Sequence, residues 1–371
     1  MKRFSLLTDR DRWYNVEIGL RAAAQAGRRR LPSTDRPVDI FLCVVDHYEP
    51  QIGRPPRAVA QERVGDWLCR YPRIADKHRD ADGRPPPHSF FYPWDEYDTW
   101  ELARLVELCA GGYGEIELHL HHRDDTDTTL RRKLRDALQT YRAAGALSAW
   151  PDGRTAFAFI HGDWALDNSR SDGGRNYCGV NNELTVLMEE GCYADFTFPS
   201  WQKSSQPRQL NAIYYATDDP ARPKSYDRGR DARAGVTDQE GLLLIQGPLW
   251  PFRNGLRPGM DDGDLAVYRR YSPARLDRWV RAGIHMQGRP DRIFIKLHCH
   301  GAQDDNRKAL LGNDLEALFA DAEARYNDGS RYRLHYVTAR EMFNIVKATE
   351  AGCEDLAASR DWILKKPMAG Q

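Results

Sequence analysis

The sequence predicts an α/β fold, a distorted (β/α)7-8 barrel built as a single domain with loop insertions. Three observations carry that reading. Short apolar, β-branched runs alternate with segments of helical period over most of the chain. Those runs number seven or eight, which suits a barrel better than an open sheet. Nearly every run also ends in polar residues, histidine above all, as parallel strands do when they deliver side chains to one rim.

In chain order, residues 1–36 read as one arginine-rich helix, about Tyr14–Gly27, with a proline-containing lead-in. Val38–Pro50 (V-D-I-F-L-C-V-V-D-H-Y-E-P) has the unbroken apolar character of a buried parallel strand and a polar end. A helix around Ala58–Arg70, the proline-rich loop Arg84–Pro87 and a short strand His88–Pro93 come next. Asp98 or Thr99 can cap a helix with Leu102, Leu105, Val106 and Cys109 on one face, closed by Gly111-Gly112.

The third strand, within Glu115–Asp125 (E-I-E-L-H-L-H-H-R-D-D), alternates. Side chains on a strand point to opposite faces in turn, so Glu115, Glu117, His119 and His121 share a face and Ile116, Leu118 and Leu120 the other. Thr126 or Asp127 caps a helix carrying Leu130, Leu134, Leu138 and Tyr141. Ala156–Ile160 is a fourth strand, ending in His161-Gly162-Asp163-Trp164, and Asn182–Glu190 suits a helix stopped by Gly191. Strands follow at Tyr193–Phe198, Leu242–Gln246, Arg292–His298 and Tyr332–Val337. Ser272-Pro273 starts one helix, and Thr338-x-x-Glu341 is a capping box for the last. No repeat or composition break divides the chain, so residues 37–350 read as the barrel and 351–371 as a tail. The polar stretch 201–240, rich in Pro, Gly, Asp and Arg, reads as a functional insertion or lid.

Lys+Arg and Asp+Glu each total 54 of the 371 residues, a balance that offers nucleic acid or an anionic membrane no field. No apolar run approaches the roughly 20 residues of a membrane span. The seven cysteines form no C-x-x-C pair, and Cys43 and Cys109 lie in apolar runs as buried thiols. A cytoplasmic protein is expected; the oligomeric state stays open.

Eight of the 11 histidines stand at proposed strand ends: His47, His88, His119, His121, His122, His161, His298 and His300, with Asp46, Glu49 and Asp163 among them. A barrel brings such ends to one mouth. Neutral imidazoles there suit a divalent metal, zinc first, with a position left for water. Trp94, Trp164, Trp201 and Trp250, in the loops, could stack on sugar rings or simply pack lids.

At these residues the chain resembles the polysaccharide deacetylase superfamily, carbohydrate esterase family 4 and its divergent relatives, over about Val38–Val346. The resemblance implies a distorted (β/α)7 barrel in which a divalent metal serves the removal of acetyl groups from N-acetylated sugars. Val45-Asp46-His47 lies where the family has an acidic pair, so Asp46 would be the base and His47 a metal ligand. Glu115-Ile116-Glu117-Leu118-His119 matches the family's E-I-x-x-H start, with His119 a ligand. The family's second histidine comes four residues on, where this chain has Arg123; His121 or His122 must serve, and one residue of strand slip swaps the two. Leu297-His298 corresponds to the strand that brings the general acid, and Tyr336–Glu341 to the family's end. The family's Arg-x-Pro segment is replaced by His161-Gly162-Asp163-Trp164.

The expected function is metal-dependent hydrolysis of a carbohydrate acyl amide. Asp46 and His298 are the expected catalytic pair, His47, His119 and His121 the ligands, and Asp163, Trp164, Trp201 and His300 the substrate contacts. Two other readings stand beside it: a glycoside hydrolase using Asp46 and Asp163, and a glycan-binding protein without turnover.

Overall fold

Val38–His47 (β1) is buried at every position, as an unbroken apolar run demands of a strand covered on both faces. The computed structural model describes residues 9–29, 36–172, 175–255 and 257–367. It places β1 in one large, mostly parallel sheet with β2 (His88–Pro93), β3 (Gly114–Leu120), β4 (Thr155–His161), β5 (Cys192–Asp195), β6 (Ile213–Ala216), β7 (Leu242–Ile245), β8 (Arg292–Cys299) and β9 (Tyr332–Tyr336). The strand order is β6-β7-β5-β4-β3-β2-β1-β8, and β9 pairs with the first half of β1. All eight strands read from the sequence are present and parallel to one another where they pair.

The ninth, β6, runs antiparallel to β7 and lies within the stretch 201–240. That stretch is therefore not a free lid, because part of it is a strand of the main sheet. Trp250–Asn254 and Arg257–Asp261 form a separate hairpin where only irregular chain was expected.

Alternation along β1 sorts its side chains. Ile40, Leu42 and Val44 meet Trp67 and Leu105 beneath the helices. Phe41, Cys43 and Val45 meet Phe91, Ile160, Phe196 and Phe294 on the concave side. Hydrogen bonding does not close the sheet among the described residues, and its ladder ends at Arg230–Asp231 and Asp264–Leu265. The ends nevertheless approach. Lys296 on β8 is buried, and its Nζ donates to the carbonyls of Phe196 (2.8 Å) and Phe198 (2.6 Å), beyond β5. Burial pushes its pKa down to about 7. Gly247, just past β7, lies so close that a Cβ would stand 2.4 Å from the Lys296 carbonyl. Only glycine allows that approach.

The longer helices are α1 (Asp9–Arg28), α2 (Arg57–Ala75), α3 (Thr99–Leu108), α4 (Asp127–Ala143), α5 (Glu183–Glu189), α6 (Pro273–Ala282), α7 (Leu315–Tyr326) and α8 (Ala339–Glu350). Asp98 caps α3 through the amides of Trp100 and Glu101, Thr126 and Thr129 make a capping box on α4, and Thr338 with Glu341 makes the one expected on α8. Between β8 and β9 the chain forms two helical segments, Asp304–Ala309 and α7 (Leu315–Tyr326), on either side of Gly312-Asn313-Asp314. The chain joins them through a π turn, Leu310–Asp314, held by Arg270 on Asp314 at 2.6 and 2.7 Å.

At the base of the sheet, His335 on β9 bridges Asp39 and Asp82, each at 3.0 Å. Burial pulls the His335 pKa down, but hydrogen bonds to Asp39 and Asp82 outweigh it and raise the value. A raised imidazole stabilises the fold fully below its unfolded pKa of about 6.5 and loses that contribution as pH climbs through the folded value. Because Asp82 is over a third exposed, His335→Gln should cost only about 1–2 kcal/mol at pH 6. The cost should shrink by pH 9 (urea unfolding at both pH values); an equal cost at both would refute the bridge's charge.

Candidate active site

Parity decides which strand-end side chains meet. On β1 the concave face takes Phe41, Cys43, Val45 and then His47, so Asp46 turns toward the helices. Register brings the exits level: Val45 pairs with Ser89 and His298, and His119 pairs with Pro93 and Ile160.

Five histidine rings and one indole gather there. His47 stacks on His300 (centroids 4.6 Å, 25°), meets His119 edge-on at 5.0 Å and stands 6.3 Å from His298. Trp164 packs 5.8 Å from His47 and 5.9 Å from His300. His121 lies 4.6 Å from His119.

Within this group Glu49, His119 and His121 present one donor atom each, all within 4.8 Å of one another. Glu49 Oε1 lies 3.1 Å from His121 Nε2 and 3.6 Å from His119 Nε2. His119 is fully buried, and its Nδ1 donates to the Ile160 carbonyl at 2.8 Å. That bond leaves Nε2 with its lone pair facing Glu49 and, among the described residues, no hydrogen-bond partner. His121 Nδ1 sits 3.1 Å from Asp95 Oδ2, and Asp95 Oδ1 accepts the His121 amide at 2.9 Å. A carbonyl or carboxylate behind each imidazole is how metal-binding histidines are oriented. The donor set, two imidazoles and a carboxylate with His121 partly exposed, could hold a divalent ion and leave a position open.

Charge follows the same geometry. Burial would lower His121, but Asp95 and Glu49 outweigh it and raise its pKa to about 11. Burial would raise Glu49, yet His119 and His121 hold it well below the ordinary carboxylate value. His47 lies well below 6.5 through burial and then the neighbouring His300 and His119. His298 is lowered by burial and Lys296. Burial, Glu49 and Asp95 together push Glu96 up to about 7, and its Oε2 is buried without a hydrogen-bond partner among the described residues.

The structure places several of the expected residues away from the three-donor set. Asp46 is buried on the helix side, where Oδ2 lies 3.0 Å from His88 Nε2 and Oδ1 accepts the Gly301 amide at 2.6 Å. A Cβ on Gly301 would fall 2.1 Å from Asp46 Oδ2, so this pairing anchors the turn that carries His298 and His300. Asp46 does not face the histidine mouth, because its parity on β1 is opposite to that of His47. His47 lines the mouth without joining the three-donor set, where Glu49, two residues on and of the same parity, stands instead. His121 keeps company with His119, while His122 turns to the opposite side. Asp163 pairs with Arg123 at 3.1 Å and is partly exposed, whereas Asp46 is fully buried against His88.

Trp164 and His300 stand at the mouth. Trp201 does not: it packs with Ile18, Leu210, Leu249 and Met260 and lines a separate cavity of about 1200 Å³ between α1 and the 250–261 hairpin. His298 points into the concave side with Nε2 3.9 Å from Asp264 Oδ1. Tyr268 donates to the other oxygen of Asp264 at 2.7 Å.

Three participants escaped the site assignment. Glu49 carried a signal, its parity with His47. Asp95 and Glu96 carried none, since they follow Pro93 in a turn whose path no periodicity reveals. Set against models of known protein families and against curated proteins, the chain matches none.

Proposed function

We propose that this protein is a metal-dependent hydrolase whose divalent ion, zinc first, is held by Glu49, His119 and His121 on a barrel-like curled sheet. The observation that carries the reading is His119: fully buried, its Nδ1 fixed by a carbonyl, its Nε2 facing two further donors with no hydrogen-bond partner among the described residues. A bound divalent ion supplies a water acidified toward neutrality and a Lewis acid for a carbonyl. Asp95 holds the His121 ring in place. Glu96, beside Glu49 and Asp95, takes the proton-accepting part first expected of Asp46. The proton Glu96 takes up returns to the departing nitrogen, and His298, kept neutral by burial and with Asp264 behind it, serves as a hydrogen-bond partner for that group.

Acyl-amide cleavage on an acetylated sugar comes from the deacetylase resemblance. It is supported by Trp164, whose ring beside His47 and His300 offers the apolar face of a sugar a surface to rest on. The test is acetate release from a panel of N-acetylated mono- and oligosaccharides by tag-free protein loaded in turn with zinc, cobalt, nickel and manganese. Turnover with at least one pairing is expected. Tight glycan binding without acetate under any metal would overturn hydrolysis in favour of a binding protein.

A further inference from the structure

A second cluster lies behind the first, on the helix side of the sheet. His122 leaves β3 there, His161 ends β4, Glu183 opens α5, and Cys178 sits in the loop between. All four are fully buried or nearly so, and one donor atom from each lies within 4.8 Å of the others. The geometry points to a structural metal site with His122, His161, Cys178 and Glu183 as its four ligands, distinct from the mouth and taking zinc or an ion of similar softness.

Each ligand is set for that role. His161 Nδ1 donates to the Gly162 carbonyl at 2.5 Å, which leaves Nε2 as the free lone pair, buried, 3.6 Å from Glu183 Oε1 and with no hydrogen-bond partner among the described residues. His122 Nδ1 faces Asp125 Oδ2 at 3.2 Å, so Nε2, 2.9 Å from Glu183 Oε1, points inward. Asp125 is itself held by Lys133 at 2.6 Å. Cys178 Sγ lies 3.3 Å from Glu183 Oε2. Two neutral imidazoles, a thiolate and a carboxylate carry two negative charges, which balance a divalent ion. Four protein ligands sealed from solvent are the mark of a structural zinc site. Loading such a site releases the Cys178 thiol proton and the proton shared between His122 and Glu183.

The loop is built to bring Cys178 there. The Asp125 amide donates to the Cys178 carbonyl at 2.9 Å. Gly179 (φ +99°) sits so near that a Cβ would stand 2.4 Å from the Asp125 carbonyl. The cluster also touches the mouth, because a Cβ on Gly162 would lie 2.2 Å from the His121 ring. An ion in the second site would therefore brace the exit of β3, which carries His121, against that of β4.

Sulfur distinguishes the two sites, since the mouth has no cysteine ligand. Cobalt(II)-loaded protein should show a thiolate-to-cobalt charge-transfer band in the near ultraviolet. The band should persist in His119→Ala and disappear in Cys178→Ser, with metal content falling from about two equivalents to about one in either variant. No band in the parent protein, or a band unchanged in Cys178→Ser, would overturn the site. Should Cys178→Ser fail to fold, X-ray absorption on zinc-loaded His119→Ala decides: one sulfur among nitrogen and oxygen neighbours is expected, and a shell without sulfur, or no bound zinc, overturns it. These readouts do not involve turnover, so they stand or fall apart from the hydrolase reading.

Discussion

His119→Ala should strip the ion from the mouth and cut hydrolysis by more than about 100-fold. The expectation rests on what the side chain does in the fold. Its ring is fully buried, so the substitution leaves the ion one ligand short without letting bulk water take the position cleanly. Asp95→Asn is the graded companion. The amide would keep the size of the carboxylate but lose its charge against His121 Nδ1, and changes behind a ligand typically cost about 10–100-fold in metal affinity or activity. Metal content by elemental mass spectrometry and turnover should fall together, further in His119→Ala than in Asp95→Asn. Parent-like turnover by His119→Ala protein would end the assignment of Glu49, His119 and His121.

Arg340→Met should produce the largest loss of stability, about 3–5 kcal/mol, because it strands a buried carboxylate. Arg340 on α8 enters the concave side from below and grips Glu115 of β3 with Nε at 2.9 Å and Nη2 at 2.8 Å. Both side chains are almost wholly inaccessible. The remaining nitrogen, Nη1, ties down the chain's last described stretch through the Leu364 carbonyl and the Asp361 carboxylate, both at 2.6 Å. One substitution therefore unseats a strand, a helix and the segment 360–364. Pairing it with Glu115→Gln removes the stranded charge, and the double variant should recover part of the loss. Urea unfolding reads both; a loss under about 1 kcal/mol for Arg340→Met would show that Glu115 finds water or another partner.

Much of this architecture was legible in the sequence because burial on both faces leaves a strong trace. Val38–Val45 has one polar residue in eight, and no amphipathic helix or edge strand reads that way. The face shared by Glu115, Glu117 and His119 was legible for a simpler reason, the period of two. Parity could equally have turned Asp46 outward, since Phe41, Cys43 and Val45 lie on the other face. What parity cannot reveal is the path of the chain after a strand ends. Asp95 meets His121 only because β2 and β3 exit side by side, and Glu183 meets His122 across 61 residues of sequence. The seam was invisible for the same reason: Lys296 reads as one charge in an apolar run, and its two carbonyl partners lie about 100 residues away.

The position of β1 has a consequence for how the molecule comes into being. Its neighbours are β2 on one side, β8 on the other and β9 beside its first half. The last two belong to sequence some 250 to 300 residues downstream. During synthesis, then, a ten-residue strand buried at every position leaves the ribosome long before two of its partners exist. Pairings so distant in sequence are slow to form, and apolar segments waiting for them are prone to stick to one another. Until residues 292–336 emerge, β1 remains a half-paired strand, and the nascent chain needs a chaperone or a collapsed intermediate to keep it covered.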